Sequence, residues 1–143
     1  MNPVVLRAAT AADIPAVLEF WKLAAEDTNR ADSAPALQRL LDRDPTALLL
    51  ADEDGRIVGS LIAGWDGWRC HLYRFAVHPD RRRRGIGRTL LEAAEQRFAD
   101  VGGHRADAMV LAENTLAHPA WAAAGYAPQP EWARWVKSLP AAP

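Results

Sequence analysis

The chain has 143 residues, 50% hydrophobic and 24% charged, the balance of a globular domain and not of a disordered, collagenous or coiled-coil chain. With 17 Lys plus Arg against 18 Asp plus Glu, the overall field steers the protein toward neither nucleic acid nor a membrane, so only local charge can recognise a ligand. The single cysteine, Cys70, excludes an intrachain disulfide, no Cys/His cluster has the spacing of structural zinc, and no apolar run nears the roughly 20 residues of a membrane span. The opening Met-Asn-Pro-Val-Val-Leu-Arg lacks the basic and then apolar order of a secretory signal, so a cytoplasmic location is expected.

A short strand is predicted at Val4 to Arg7. Thr10 followed by Asp13 has the form of a helix capping box, and Ile14, Val17, Leu18, Trp21 and Ala25 keep one face of a first helix. Glu26 to Ser33 is polar. A second helix follows with Pro35 in its first turn, Leu37, Leu40 and Leu41 on its inner face, and Pro45 as a stop. Three apolar strands come next, at 47–52, 56–65 and 68–77, joined by Asp54-Gly55 and Asp66-Gly67, both read as type I′ hairpin turns. Trp65 and Trp68 are expected to stack across the second turn. Pro79 ends the fourth strand of the chain.

Ile86, Leu90, Leu91, Ala94, Phe98 and Val101 then recur at helical spacing up to a Gly102-Gly103 stop. A strand at 105–112, parallel to its predecessor by the strand, helix, strand order, precedes a short helix at 119–124 and a last strand at 134–139. The expected architecture is one α/β (α+β) domain over residues 1–143, a mixed and mostly antiparallel sheet with helices on both faces.

The informative segment is Phe75-Ala76-Val77-His78-Pro79-Asp80-Arg81-Arg82-Arg83-Arg84-Gly85-Ile86-Gly87-Arg88. A strand runs into a glycine-containing loop that opens a long helix, so unpaired N–H groups and the positive end of the helix dipole converge on an anion site. No Gly-Lys-Ser/Thr follows and the GxGxxG spacing is absent, which excludes a P-loop and a dinucleotide fingerprint. A solvated helix start is the structural alternative, and a nucleic-acid patch is a third reading that the near-zero net charge disfavours. Positive charge at a helix N-terminus opposes the dipole, which a purely structural cap would avoid.

Arg82-Arg83-Arg84-Gly85-Ile86-Gly87 resembles the Gln/Arg-x-x-Gly-x-Gly/Ala signature of the GCN5-related N-acetyltransferase (GNAT) superfamily, between that family's fourth strand and third helix. Asn114, Ala117, Trp121, Gly125 and Tyr126 are similar in spacing to a second segment of the family, and the order of elements agrees along nearly the whole chain. Asp66-Gly67-Trp68-Arg69 ahead of Ala76-Val77-His78-Pro79 also resembles a bacterial branch of small GNAT proteins. The resemblance implies acetyl-CoA as cosubstrate, with Phe75, Ala76 and Val77 offering backbone groups to the pantetheine arm. It further implies that the N–H groups of Arg82, Arg83, Arg84, Gly85, Ile86, Gly87 and Arg88 hold the pyrophosphate. Asn114 would bond the pantetheine, with Ala117 and the helix carrying Trp121 beside it. Trp121 stands where the family usually has a tyrosine that protonates the leaving thiolate, and Pro119 is tolerated only if the helix begins near it.

Strict alternation places His71, Tyr73, Phe75 and Val77 on one face of the fourth strand, with Cys70 on the other in the core. An offset in the histone-acetylating branch of the family lands its general base on His71, and a histidine with an ordinary pKa near 6.5 suits that task; Tyr73 is the second candidate. A half-buried structural role for His71 remains open. His78 reads as structural, His104 and His118 as surface residues, and Glu26 and Asp27 as part of a loop where the family recognises its acceptor. The expected partners are acetyl-CoA and an amine acceptor, small molecule or peptide, with no metal, nucleic acid or membrane; homodimer formation stays open. The reading from another class is a non-catalytic acyl-CoA-binding module.

Overall fold

Runs rich in Leu, Ile, Val and Ala that alternate between two buried faces need a helical layer on each side, and the computed structural model, which describes residues 3–24 and 32–140, has that arrangement. The sheet is ordered β1-β2-β3-β4-β5, from β1 (Val5–Ala8), β2 (Leu48–Glu53), β3 (Arg56–Trp65), β4 (Cys70–Val77) and β5 (Ala106–Ala108). The first four are antiparallel neighbours, and β5 joins β4 in parallel. On one face α1 (Ile14–Ala24) and α2 (Ala34–Arg43) bury Val17, Phe20, Trp21, Leu37 and Leu41 against Leu48, Leu50 and Ile62. On the other, α3 (Ile86–Asp100) and the short α4 (His118–Ala123) bury Leu90, Leu91, Phe98 and Trp121 against Leu61, Ala63, Cys70 and Leu72.

Local signals set the helix ends. Asp13 takes the backbone N–H of Thr10 at 2.8 Å, the expected capping box, although a 3-10 turn at Ala11–Asp13 precedes α1. Ser33 caps α2 by accepting from the N–H of Ala36, and Gly102, at φ 85°, follows the end of α3 in the left-handed conformation. Pro119 lies in the first turn of α4, where its missing N–H costs nothing. Ala25, Glu26 and Asp27 lie outside the described residues.

Four expectations need correction. Asp54 and Gly55 both have positive φ (52° and 82°), as a type I′ turn requires, but at the second hairpin only Gly67 does. There a longer loop is held by the Asp66 carboxylate, which accepts the N–H groups of Trp68 and Arg69, and Trp68 points outward at 80% exposure beneath the Arg69 guanidinium instead of stacking on Trp65. The strand expected over 105–112 pairs only at Ala106–Ala108, because the chain then leaves β4. Residues 134–139 form no strand: Trp135, Val136 and Leu139 are exposed and no neighbouring strand supplies ladder partners.

The fourth correction shapes the site. Ser60 pairs with Ala76 and Ile62 with Tyr73, so β4 spends three residues where β3 spends two, a bulge at Arg74, whose φ is 51°. The extra residue reverses the alternation. Phe75 and Val77 therefore pack on the α3 side with Cys70 and Leu72, not on the face of His71 and Tyr73. A left-handed arginine is disfavoured by about 1–2 kcal/mol. The fully buried Ser60 offsets this by donating to the Arg74 carbonyl at 2.8 Å while accepting the Trp21 indole N–H at 2.9 Å.

Candidate active site: a cleft between separating parallel strands

The ladder between β4 and β5 ends at the pair Leu72 and Ala108. Beyond it, among the described residues, the outer edge of β4 from Phe75 to Val77 has no strand partner, and Met109 to Ala112 diverge to form an opposite wall. Between the walls lies a cleft of about 1070 Å³, closed at one end by the loop from Arg81 to Arg88 and flanked by α4. Its lining joins exposed apolar side chains (Met109, Val110, Leu111, Leu116) with the open edge of β4 from Phe75 to Val77. An extended ligand with alternating amide and methylene groups suits such a surface, because it can complete the open ladder on one side and cover carbon on the other.

The loop end is built for anions. After a 3-10 turn at Pro79–Arg81, Arg83 (φ 65°) and Gly85 (φ 80°) both adopt left-handed backbone, which turns successive N–H groups inward. Among the described residues, none of the N–H groups from Arg82 to Arg88 has a backbone acceptor; the first helical bond of α3 at this end is Thr89 N–H to the Gly85 carbonyl, at 3.0 Å. Gly87 has no room for a side chain: a Cβ there would lie 2.9 Å from Phe75 Cζ. The charged side chains lining the cleft are Arg74, Arg81, Arg82, Arg83, Arg88 and Arg134, with no carboxylate among the described lining residues. Such a field favours a polyanion. These features fit a nucleoside-diphosphate-linked arm such as that of coenzyme A, whose pyrophosphate the N–H row would hold.

The cleft gathers most of the residues singled out in the sequence: Tyr73, Phe75, Ala76, Val77, Arg82, Arg83, Gly85, Ile86, Gly87, Arg88, Asn114, Ala117 and Trp121 all line it. Arg84 does not; it lines a smaller pocket behind the loop with Glu53 and Leu6. Arg81 binds the Glu53 carboxylate at 2.7 Å, which holds that acid below the usual carboxylate range. Asn114 accepts the Ala117 N–H at 3.2 Å through Oδ1, leaving its Nδ2 donors without a partner among the described residues. Trp121 is buried, edge-on to Phe75 at 4.9 Å and to Tyr126 at 5.2 Å. The Tyr126 hydroxyl donates to Glu95, and burial together with that carboxylate raises its pKa, so this tyrosine releases no proton near neutrality.

His71 is not part of the lining. Its Nδ1 lies 2.7 Å from Asp107 on β5 and its Nε2 3.6 Å from Asp66, while its ring centre is 6.0 Å from that of Tyr73, which does reach the cleft. Asp107 on Nδ1 makes Nε2 the basic nitrogen of the neutral ring. Cys70 is buried, and burial pushes its thiol pKa up, away from nucleophile chemistry. His78 is buried and accepts the Asp80 N–H, as its structural role requires. The apolar wall of Met109, Val110 and Leu111 has the pattern of a strand interior, and Arg134 begins the stretch whose pattern predicts a last strand, so neither is marked in the sequence as a site residue. No helix is long and apolar enough to cross a membrane, and no group of three metal-ligating side chains occurs, both among the described residues.

A mixed sheet parted between parallel neighbours, with free N–H groups at the cleft's end, defines a site for an extended ligand carrying an anionic group. The profile of the Acetyltransferase (GNAT) family matches residues 15–126, and the chain belongs to that family. It is 34% identical over 102 residues to an acetyltransferase of Pectobacterium atrosepticum, covering 71% of this chain and 72% of that protein. A Sodalis glossinidius acetyltransferase is 37% identical over 78 residues, spanning 54% of this chain and 55% of the relative. Among solved structures, Ard1 from Thermoplasma volcanium shares the fold with a TM-score of 0.74 at 18% identity, covering 87% of this chain and 82% of the other. The putative acetyltransferase yncA from Salmonella typhimurium, solved with its cofactor acetyl-CoA, gives 0.72 at 21% identity, covering 88% and 80%. The protein is thus a GNAT-family acetyltransferase.

Proposed function

We propose that the protein transfers the acetyl group of acetyl-CoA to a primary amine by direct attack within a ternary complex. The observation that carries this is the parted β4 edge ending in the N–H row of Arg82 to Arg88. In this reading those N–H groups hold the pyrophosphate, the arginines around them neutralise it, and the edge from Phe75 to Val77 pairs with the pantetheine amides. The cosubstrate, when bound, supplies an acetyl thioester. A backbone N–H of β4 polarises its carbonyl, and the β4 and α4 walls exclude water from it. Direct attack is supported by the lack of an activated nucleophile among the described lining residues, Cys70 being a buried residue of β4 outside the lining.

Amine deprotonation is the harder proton problem. A lysine-type amine of pKa about 10.4 is neutral in roughly 1 molecule in 2500 at pH 7, a handicap of about 4.6 kcal/mol. His71 Nε2 takes that proton through water, because its ring stops short of the lining, while Tyr73 orients the amine at the wall. Trp121 carries an indole donor that orients the thioester but gives up no proton, and a thiolate of pKa about 8.5 leaves without much help.

Calorimetric titration with CoA and acetyl-CoA turnover against a panel of amines (a peptide N-terminus, a lysine peptide, a polyamine, an aminoglycoside) test the reading. Intersecting initial-rate patterns are expected. Parallel patterns would replace direct attack by an acyl-enzyme, CoA binding with no turnover would make the chain a binding module, and tight DNA binding at moderate salt would point to the arginines as a nucleic-acid patch.

A further inference from the structure

Arg74 is the residue at which β4 changes face, and its side chain is held as firmly as its backbone. Its Nη2 lies 2.7 and 2.6 Å from the two Asp32 oxygens, its guanidinium lies 5.3 Å from the centre of the Trp21 ring, and only 11% of the side chain is exposed. The Trp21 indole N–H reaches Ser60, and Ser60 donates to the Arg74 carbonyl, so indole, hydroxyl, bulge backbone and guanidinium form a closed ring of contacts. Asp32 stands immediately before the Ser33 cap of α2, which ties the start of that helix to the same point. A bulge alone does not call for this: glycine takes a φ of 51° without strain and needs no ion pair.

We propose that Arg74 is a positioning residue of the transfer step, clamped by Asp32 and Trp21 so that the backbone from Phe75 to Val77 stays aligned with the thioester. This rests on the reading that acetyl transfer takes place in this cleft. Polarisation of a carbonyl by a backbone N–H depends on alignment to about 0.5 Å, whereas the N–H row at Arg82 to Arg88 lies beyond the strand and does not depend on the clamp. Loosening the clamp therefore lowers turnover more than it weakens CoA binding, most of which the N–H row supplies.

Turnover with an amine acceptor and CoA affinity by calorimetry separate the two effects. Arg74→Ala is expected to lower kcat by about 100-fold with a smaller rise in the Kd for CoA, because the residue also lines the cleft, and Asp32→Asn to lower kcat by about tenfold while the Kd for CoA stays within about threefold. Arg74→Gly restores an unstrained bulge, so it recovers about tenfold of the activity that Arg74→Ala loses. A kcat unchanged in Asp32→Asn, which needs no large cavity to form, overturns the proposal. So does an Arg74→Gly as fast as the wild type, since the bulge would then need no side-chain clamp. Hydrogen exchange of the 73–77 amides asks the same question without turnover: faster exchange in Asp32→Asn supports the clamp, and unchanged exchange sinks it. A wild-type chain that binds CoA and acetylates no amine refutes the functional reading alone, and the exchange measurement still decides the clamp.

Discussion

Gly87 offers the sharpest test of how the loop holds its anion. It lies in the first turn of α3, and a Cβ on it would stand 2.9 Å from Phe75 Cζ, 3.4 Å from Cε1 and 3.5 Å from Val77 Cγ2. Cβ atoms do not approach carbon that closely, so even alanine must displace the Phe75 ring, and Trp121 lies edge-on to that ring at 4.9 Å. Overpacking of this kind costs about 1–3 kcal/mol, whereas replacing a helical glycine by alanine returns up to about 1 kcal/mol of helix propensity. Global stability should therefore change little, and the strain should appear where the ring can still move, in the cleft. If about 2 kcal/mol is relieved only by Phe75 entering the ligand's space, CoA affinity falls by roughly 30-fold in Gly87→Val. Arg81→Ala removes a guanidinium already engaged by Glu53, so its effect on CoA affinity should stay within about threefold. Calorimetry on both variants, with melting curves to show that each is folded, gives the comparison. If Arg81→Ala weakens CoA more than Gly87→Val does, the arginine charges and not the N–H row form the site.

Three further outcomes are expected. His71→Ala should lower the rate with a lysine-type acceptor by about 100-fold at neutral pH and recover as the pH approaches the amine's own pKa; an unchanged pH–rate profile removes His71 from the mechanism. Trp121→Tyr should preserve or raise kcat, because a tyrosine there adds a proton donor, and a drop in kcat with unaltered CoA affinity would mean that the indole itself positions the thioester. The Arg7 guanidinium, 2.8 Å from Asp13, holds that carboxyl well below the usual carboxylate range, so its contribution is complete above the unfolded pKa of about 3.9 and is lost as pH falls further. Asp13→Asn should cost about 1–2 kcal/mol at pH 7 by urea unfolding and flatten the acid limb below about pH 4; an equally steep limb would show that other carboxylates control it.

What could be read from the sequence follows the range of the interactions involved. The loop between β4 and α3 was legible because glycine at Gly85 and Gly87, the strand before it and the helical periodicity after it all lie within some twenty neighbouring residues. Cys70 in the core and His78 in a turn were legible for the same reason. The parting of β4 and β5 was not: Met109, Val110 and Leu111 have strand-like composition, and only the absence of a ladder partner beyond Ala108 turns them into a cleft wall. Nor was the loss of the last strand, since Trp135, Val136 and Leu139 have the apolar character of a strand but join no ladder.

The bulge at Arg74 shows why alternation fails where it matters most for the chemistry. Nothing in Cys-His-Leu-Tyr-Arg-Phe-Ala-Val marks an extra residue: no glycine occurs in it, and a positive φ at arginine runs against local preference. The compensation comes from Ser60, 14 positions away, and from Trp21 and Asp32, 53 and 42 positions away, which meet only once the sheet and α1 have packed. A one-residue slip moves every later side chain to the other face, so the bulge sends Phe75 and Val77 to the Gly87 side and leaves His71 facing Asp107 and Asp66. Strict alternation back from Val77 puts His71 on the same face, and the bulge puts the two on opposite faces. If His71 acts as the base, it does so through solvent, so the transfer rate should fall in Asp107→Asn along with His71→Ala, because that carboxylate is what orients the ring. A rate untouched by Asp107→Asn would leave Tyr73, a cleft residue beside that ring, as the group to test next.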